Sequence, residues 1–299
     1  MLHYKKIFGS FLVRIVAGAA LITGSVILVE WFVPWATDNT LWPEVVKRLL
    51  ISLIDSSLAL TAYILFYRYA ENRKITELRK ETFPKMALAG FIIGILIQTA
   101  IILIMYMAGS YRIEKINPAS DLLPSFSTSL TAGFVAELLI RGVLFRILEE
   151  KLGTILTLLL MVISFAILHL GIPGGSLVSV AATSLHAGLL LSAAYVVSRS
   201  LWLPVFLHFA YDFAEPGIFG GINPGIHENR SLFTPLISGN HLITGGEAGP
   251  QNSLQALVIC LILSAIFLFR AKRKNQFLRP SWEFGAGRRN ISQTLNQNG

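Results

Sequence analysis

Charge is scarce in this chain. Asp, Glu, Lys and Arg make up 14% of its 299 residues, against 54% hydrophobic residues and a mean hydropathy of +0.62. A soluble domain of this size carries about 25% charge. The composition therefore excludes an ordinary water-soluble globule and points to an all-α polytopic membrane protein, with spanning helices making up nearly the whole chain. Cysteine is scarcer still. The single Cys260 excludes an internal disulfide and a cysteine-based zinc site. It falls in a late apolar stretch and reads as a small buried hydrophobe. Acidic residues are outnumbered, 17 to 25, giving a net charge of +8. That excess would suit nucleic acid, but the basic residues cluster beside apolar runs, where membrane orientation accounts for them. No nucleic-acid partner is expected. Internal repeats are absent. The first apolar stretch is too long for a signal peptide and lacks a small-residue cleavage site, so it reads as a retained helix.

What is present is a series of eight candidate spans: roughly 8–33, 46–67, 86–108, 125–146, 152–170, 177–198, 201–214 and 254–271, each compared with the ~20 residues a crossing needs. The span 201–214 is short, as is tolerated where backbone lines a cavity. Basic residues gather at Lys5 and Lys6, between Arg68 and Lys85, and between Arg270 and Arg279. Eight crossings put these three regions on one face, so both termini and the loop 68–85 are expected in the cytoplasm of a cell-membrane protein. Lys47 and Arg48, near the outer start of the second span, fit this less well. Four regions follow: 1–124, N-terminal helices with a basic loop; 125–214, a helical core; 215–253, an outer loop; and 254–299, a last helix with a basic tail. The outer loop is rich in Gly, Pro and Asn (Pro216-Gly217, Gly220-Gly221, Asn223-Pro224-Gly225, Gly245-Gly246) and is expected to be irregular. The tail after about Phe284 is expected to be disordered.

Within the core, three polar signatures interrupt the apolar helices: Glu137-Leu-Leu-Ile-Arg141, Phe165-Ala-Ile-Leu-His169 and His208-Phe-Ala-Tyr-Asp212. The outer residues of each are four apart, about 40° around a helix, and so share a face. One ionisable group inside a bilayer costs on the order of 3 kcal/mol by insertion scales. Five of them, Glu137, Arg141, His169, His208 and Asp212, are best explained if they meet around one wet cavity. Glu137 with Arg141 reads either as a buried ion pair fixing helix geometry or as a carboxylate oriented and kept ionised to handle water. Gly142 would let another helix approach closely. His169, at a helix end, would by itself read as structural. His208 with Asp212 changes that balance, because a carboxylate one turn away can fix an imidazole's tautomer or share a metal with it. Glu137, His169, His208 and Asp212 are a possible ligand set for a divalent metal such as zinc. They equally suit a metal-free site with a carboxylate base and imidazoles at an oxyanion. His186, with Ser184, reads either as cavity-facing or as a helix–helix contact. Arg14, Glu30 and Asp55 receive no catalytic role. The sequon at Asn229 is too short a pattern to carry weight.

In their order and spacing these motifs resemble the CPBP family (Abi), the CaaX-protease and bacteriocin-processing intramembrane endopeptidases. The family pattern runs Glu-Glu-x-x-x-Arg, Phe-x-x-x-His, His-x-x-x-Asn/Asp, and the match covers about 125–214. The resemblance implies an intramembrane endopeptidase that cleaves a membrane-associated peptide or protein by attack of an activated water. Glu137 and Arg141 would handle the water. His169 and His208 would hold metal or the oxyanion, and Asp212 would tune His208. One departure stands out: the first Glu of the family pair, usually assigned as the base, is Ala136 here. Glu137 or Asp212 would have to take over, or the chain would be a weakened enzyme. The competing class is a non-catalytic scaffold, immunity or transport protein. Against transport, the chain shows neither repeated halves nor paired broken helices.

Overall fold

The computed structural model describes residues 10–38, 40–170, 176–221 and 230–283. Lys5, Lys6, His227, Asn229 and the tail expected to be disordered lie outside the described residues.

Long apolar helices dominate. They are α1 (Phe11–Thr37), α2 (Glu44–Ala70), α3 (Phe83–Met107), α4 (Leu123–Glu137, continued by a π-helical turn over Leu138–Phe145), α5 (Arg146–His169), α6 (Leu177–Ser198), α7 (Trp202–Phe213, continued by a π turn over Ala214–Ile218) and α8 (Leu254–Arg273). Local chemistry sets several of their ends. Ser176 caps α6 with a reciprocal Ser176–Ser179 capping box. Ser253 caps α8, whose last turn carries Arg270, Lys272 and Arg273 at the carbonyl end of the dipole. Large apolar side chains such as Trp31, Trp35, Leu96 and Leu168 are exposed, as suits helices bathed in lipid.

Among the described residues, six helical runs are long and apolar enough to cross a membrane, so the structure does not reproduce eight such spans. Two local features account for the difference. The run Ala119–His169 is 51 residues long and includes both the fourth and fifth expected spans. Its break is at Gly153, which adopts φ 75° where a Cβ would press on Pro280 and Leu278. Helix α7 has only 12 residues before its π turn, below the length of a full crossing.

The loop after α7, expected to be irregular, contributes a strand to a small sheet. Tyr111–Ile116 (β1) and Phe233–Ile237 (β2) pair antiparallel as a two-stranded sheet. Each strand is short, and more than a hundred residues separate them, so neither shows a hairpin signature. Residues 215–218, expected to open that loop, instead extend α7.

Helix α7 is held by close backbone contact. A Cβ on Gly90 of α3 would lie 2.5 Å from Leu203 O, and one on Gly94 would lie 2.6 Å from Leu207 O. On the opposite side a Cβ on Gly133 of α4 would lie 2.9 Å from Phe209 N. Glycine at these three positions lets α3 and α4 grip α7 without intervening side chains.

At the other end of the bundle, a charged network ties the loop after α2 to the start of α5. Arg14 bonds Glu71 at 2.8 Å and Glu150 at 2.9 Å, and Arg146 reaches Glu71 at 3.1 Å and also bonds Glu150. Buried Glu77 accepts from Arg73 and from the Tyr63 hydroxyl. Burial alone would raise the Glu77 carboxyl, but Arg73 and Tyr63 hold it below the usual carboxylate range. A depressed carboxylate stabilises the fold above its unfolded pKa of about 4.3, and that contribution is lost as pH falls through the folded value. Thermal melts from pH 6 to pH 3 should therefore fall less for Glu77→Gln than for the wild type. Parallel curves would refute the assignment.

Candidate functional site

The site forms where α4, α6 and α7 meet, and each of these helices carries a π-helical turn there or nearby: Leu138–Phe145, Ser184–Leu190 and Ala214–Ile218. A π turn inserts a residue into the helix and re-aims the side chains that follow. In α4 the turn begins directly after Glu137 and includes Arg141 and Gly142. A Cβ on Gly142 would run into the Tyr63 ring of α2, and its carbonyl accepts from the Tyr67 hydroxyl at 2.9 Å. The close approach expected at Gly142 is thus made by α2.

Four of the five expected residues form one connected chain. Arg141 Nη1 donates to Glu137 Oε1 at 2.8 Å, with both side chains wholly buried. The same carboxylate oxygen lies 2.8 Å from His208 Nδ1. His208 Nε2 lies 3.1 Å from Asp212 Oδ2, one turn along α7. Carboxylate oxygens only accept, so these two contacts call for two protons shared among the imidazole and its carboxyl partners. With His208 as imidazolium, two cations balance two carboxylates and the connected set is neutral. Glu137 Oε2 and Arg141 Nε remain buried without a hydrogen-bond partner. The far side of Arg141 donates to the Ala187 carbonyl in the π turn of α6.

His169 stands apart. Its Nδ1 lies 2.8 Å from the Phe165 carbonyl, so Nδ1 carries a proton and donates to it. Among the described residues it bonds none of Glu137, His208 or Asp212. Its link to the set runs through Phe165, whose ring faces the Arg141 guanidinium at 5.8 Å and stacks with His169 at 6.2 Å.

Two polar residues join this region that the motif reading did not place. His186 stacks on Tyr211 with centroids 3.8 Å apart and meets His208 edge-on at 6.1 Å. A histidine in an otherwise apolar span was the available signal. Glu215 is buried at the end of α7 and accepts from Gln98 at 3.1 Å. Its place seven residues beyond His208 becomes meaningful only because the helix continues past 214.

As arranged here, the donors do not form a preassembled ligand shell. Among the described residues no group of three or more His, Cys, Asp or Glu side chains is arranged to hold one. Both ring nitrogens of His208 face carboxylate oxygens, so a ligand bond from this ring would displace one of those contacts.

Comparison with known proteins bears on the same stretch. Residues 118–214 match the family model described as Rce1-like, type II CAAX prenyl endopeptidase. This is the segment that carries all three motifs, and it supports the resemblance to the CPBP family drawn from them. No curated protein and no solved structure matches the chain.

Proposed function

We propose that the protein is an intramembrane endopeptidase that hydrolyses a membrane-associated peptide or protein by attack of an activated water. The observation that carries this reading is the buried Glu137 carboxylate. It is held through Oε1 by Arg141 and His208 and keeps Oε2 unpartnered, within the segment similar to type II CAAX prenyl endopeptidases.

Glu137 Oε2 accepts a proton from water, and the hydroxide adds to the scissile carbonyl carbon. The carbon–nitrogen bond then breaks as Glu137 passes that proton to the departing amine. Arg141 and imidazolium His208 orient Glu137 and place positive charge beside the developing oxyanion. Asp212 holds the His208 ring by its second nitrogen. His169, in its neutral form, presents Nε2 as an acceptor that orients water or substrate. The Lys and Arg distribution supports a cell-membrane location with both termini cytoplasmic.

The test is cleavage of a fluorogenic peptide panel, prenylated and unprenylated, by purified protein with and without chelator. The expected result is cleavage that chelator leaves unchanged. Loss of cleavage with chelator, restored by zinc, would overturn the metal-free step. No cleavage across the panel would favour a non-catalytic scaffold. Orientation has its own test. In a Cys260→Ser background, Thr76→Cys should resist impermeant thiol reagent added outside cells, whereas Ser238→Cys should label. The reverse pattern would refute the topology.

A further inference from the structure

We propose that His186 is a catalytic residue of this site, a neutral imidazole that donates a hydrogen bond to the scissile carbonyl oxygen as it becomes an oxyanion. The inference rests on the endopeptidase reading and adds a residue outside its three motifs.

Four observations carry it. His186 is buried, and its Nε2 is wholly buried without a hydrogen-bond partner. Leaving such a group unpaired is unfavourable, and a ligand oxygen in the site would satisfy it. The ring is fixed rather than loose: it lies nearly parallel to Tyr211, at 18°, with centroids 3.8 Å apart. It stands at 86° to the His208 ring, 6.1 Å away, so the two imidazoles can address one small group from different sides. Finally, the next residue, Ala187, accepts from Arg141 through its carbonyl. The π turn that carries His186 is thereby tied directly to the Glu137–Arg141 pair.

The charge pattern fixes the form of the imidazole. His208 faces two carboxylates, whereas among the described residues no carboxylate bonds His186; its charged neighbours are Asp212, already paired with His208, and the cationic groups of Arg141 and His208. A second cation there would be repelled from both. A neutral imidazole keeps one N–H, the donor that an oxyanion needs, and costs no charge burial. His169, the histidine of the second motif, bonds the Phe165 carbonyl instead. His186 is the imidazole in ring contact with His208.

The experiment compares His186→Gln, which keeps an N–H donor of similar reach, with His186→Met, which has similar length and no donor. Both are measured beside the wild type and Glu137→Gln, with thermal melts to confirm folding. Removing an oxyanion donor typically lowers kcat by ~10²–10³-fold. The expected pattern is that loss for Met, partial recovery for Gln, and little change in KM for either. Equal kcat for Met and wild type would overturn the role of His186 while leaving the endopeptidase reading intact. Equal losses for Gln and Met would also overturn it, because the side chain would then act by packing. Absence of wild-type cleavage would remove the endopeptidase reading itself. If Met fails to fold, His186→Asn and His186→Leu form the second donor-against-nondonor pair and decide the same question.

Discussion

Glu137→Gln is expected to lower peptide cleavage by ~10²–10⁴-fold, the range typical of a lost general base, whereas Ala136→Glu should change it by less than about tenfold. The two neighbours differ in what surrounds them. Glu137 is wholly buried, with Arg141 and His208 both on Oε1. Ala136 is only partly buried and lies about 100° around the helix. A carboxylate added at 136 would start from a different face and would meet Glu137 as a like charge if it swung inward. Gln keeps the shape of Glu137 but not its charge, and it places an amide nitrogen where an acceptor is needed. The measurement is kcat/KM on the best peptide for wild type and both variants. A large gain from Ala136→Glu, with Glu137→Gln still active, would mean that the base belongs at 136 and that this chain has lost it.

The residues that were legible in the sequence are those whose chemistry conflicts with a bilayer. Glu137, Arg141, His208 and Asp212 stood out because charge in an apolar helix demands a partner, and the spacing of four identified the helix faces. The structure joins them as that reasoning requires. His169 met the same spacing rule, yet its partner is its own helix: the Phe165 carbonyl one turn back satisfies Nδ1. Spacing along one helix does not report which way that helix is turned. The π turns were not legible at all. They leave hydrophobic periodicity nearly unchanged over a few residues, yet they aim Arg141 at Ala187 and carry His186 and Glu215. The sheet of β1 with β2 was hidden for another reason. Its partners are distant in sequence, and strand pairing across such a loop leaves no local pattern. The fourth and fifth expected spans follow each other without a loop: the chain turns at Gly153 alone, and the Thr154 N–H goes to the Leu278 carbonyl instead of the helix.

The largest stability effect should come from Arg141. Arg141→Met is expected to cost about 3–5 kcal/mol, because it removes one partner from a buried ion pair. The charge balance explains why. With Arg141, Glu137, His208 and Asp212 all charged, the connected set sums to zero. Arg141→Met leaves one negative charge uncompensated, strips the Ala187 carbonyl of its donor, and takes the guanidinium away from Phe165. Glu137→Leu leaves one positive charge instead. The double variant Arg141→Met, Glu137→Leu returns the set to neutrality through His208 and Asp212 alone, and replacement of a buried pair by apolar groups is often neutral or stabilising. It should therefore recover much of the loss, with a coupling of at least about 1–3 kcal/mol. Cleavage should remain absent in all three. Arg141→Lys should fall between wild type and Met, since a single ammonium cannot span Glu137 and Ala187 as the guanidinium fork does. The fold supplies its own reporter: Cys260, the single cysteine, is buried in α8, so a thiol-reactive fluorogenic dye reads unfolding directly during a thermal ramp. A double variant as unstable as the worse single would show that shape, and not charge balance, holds this pair in place.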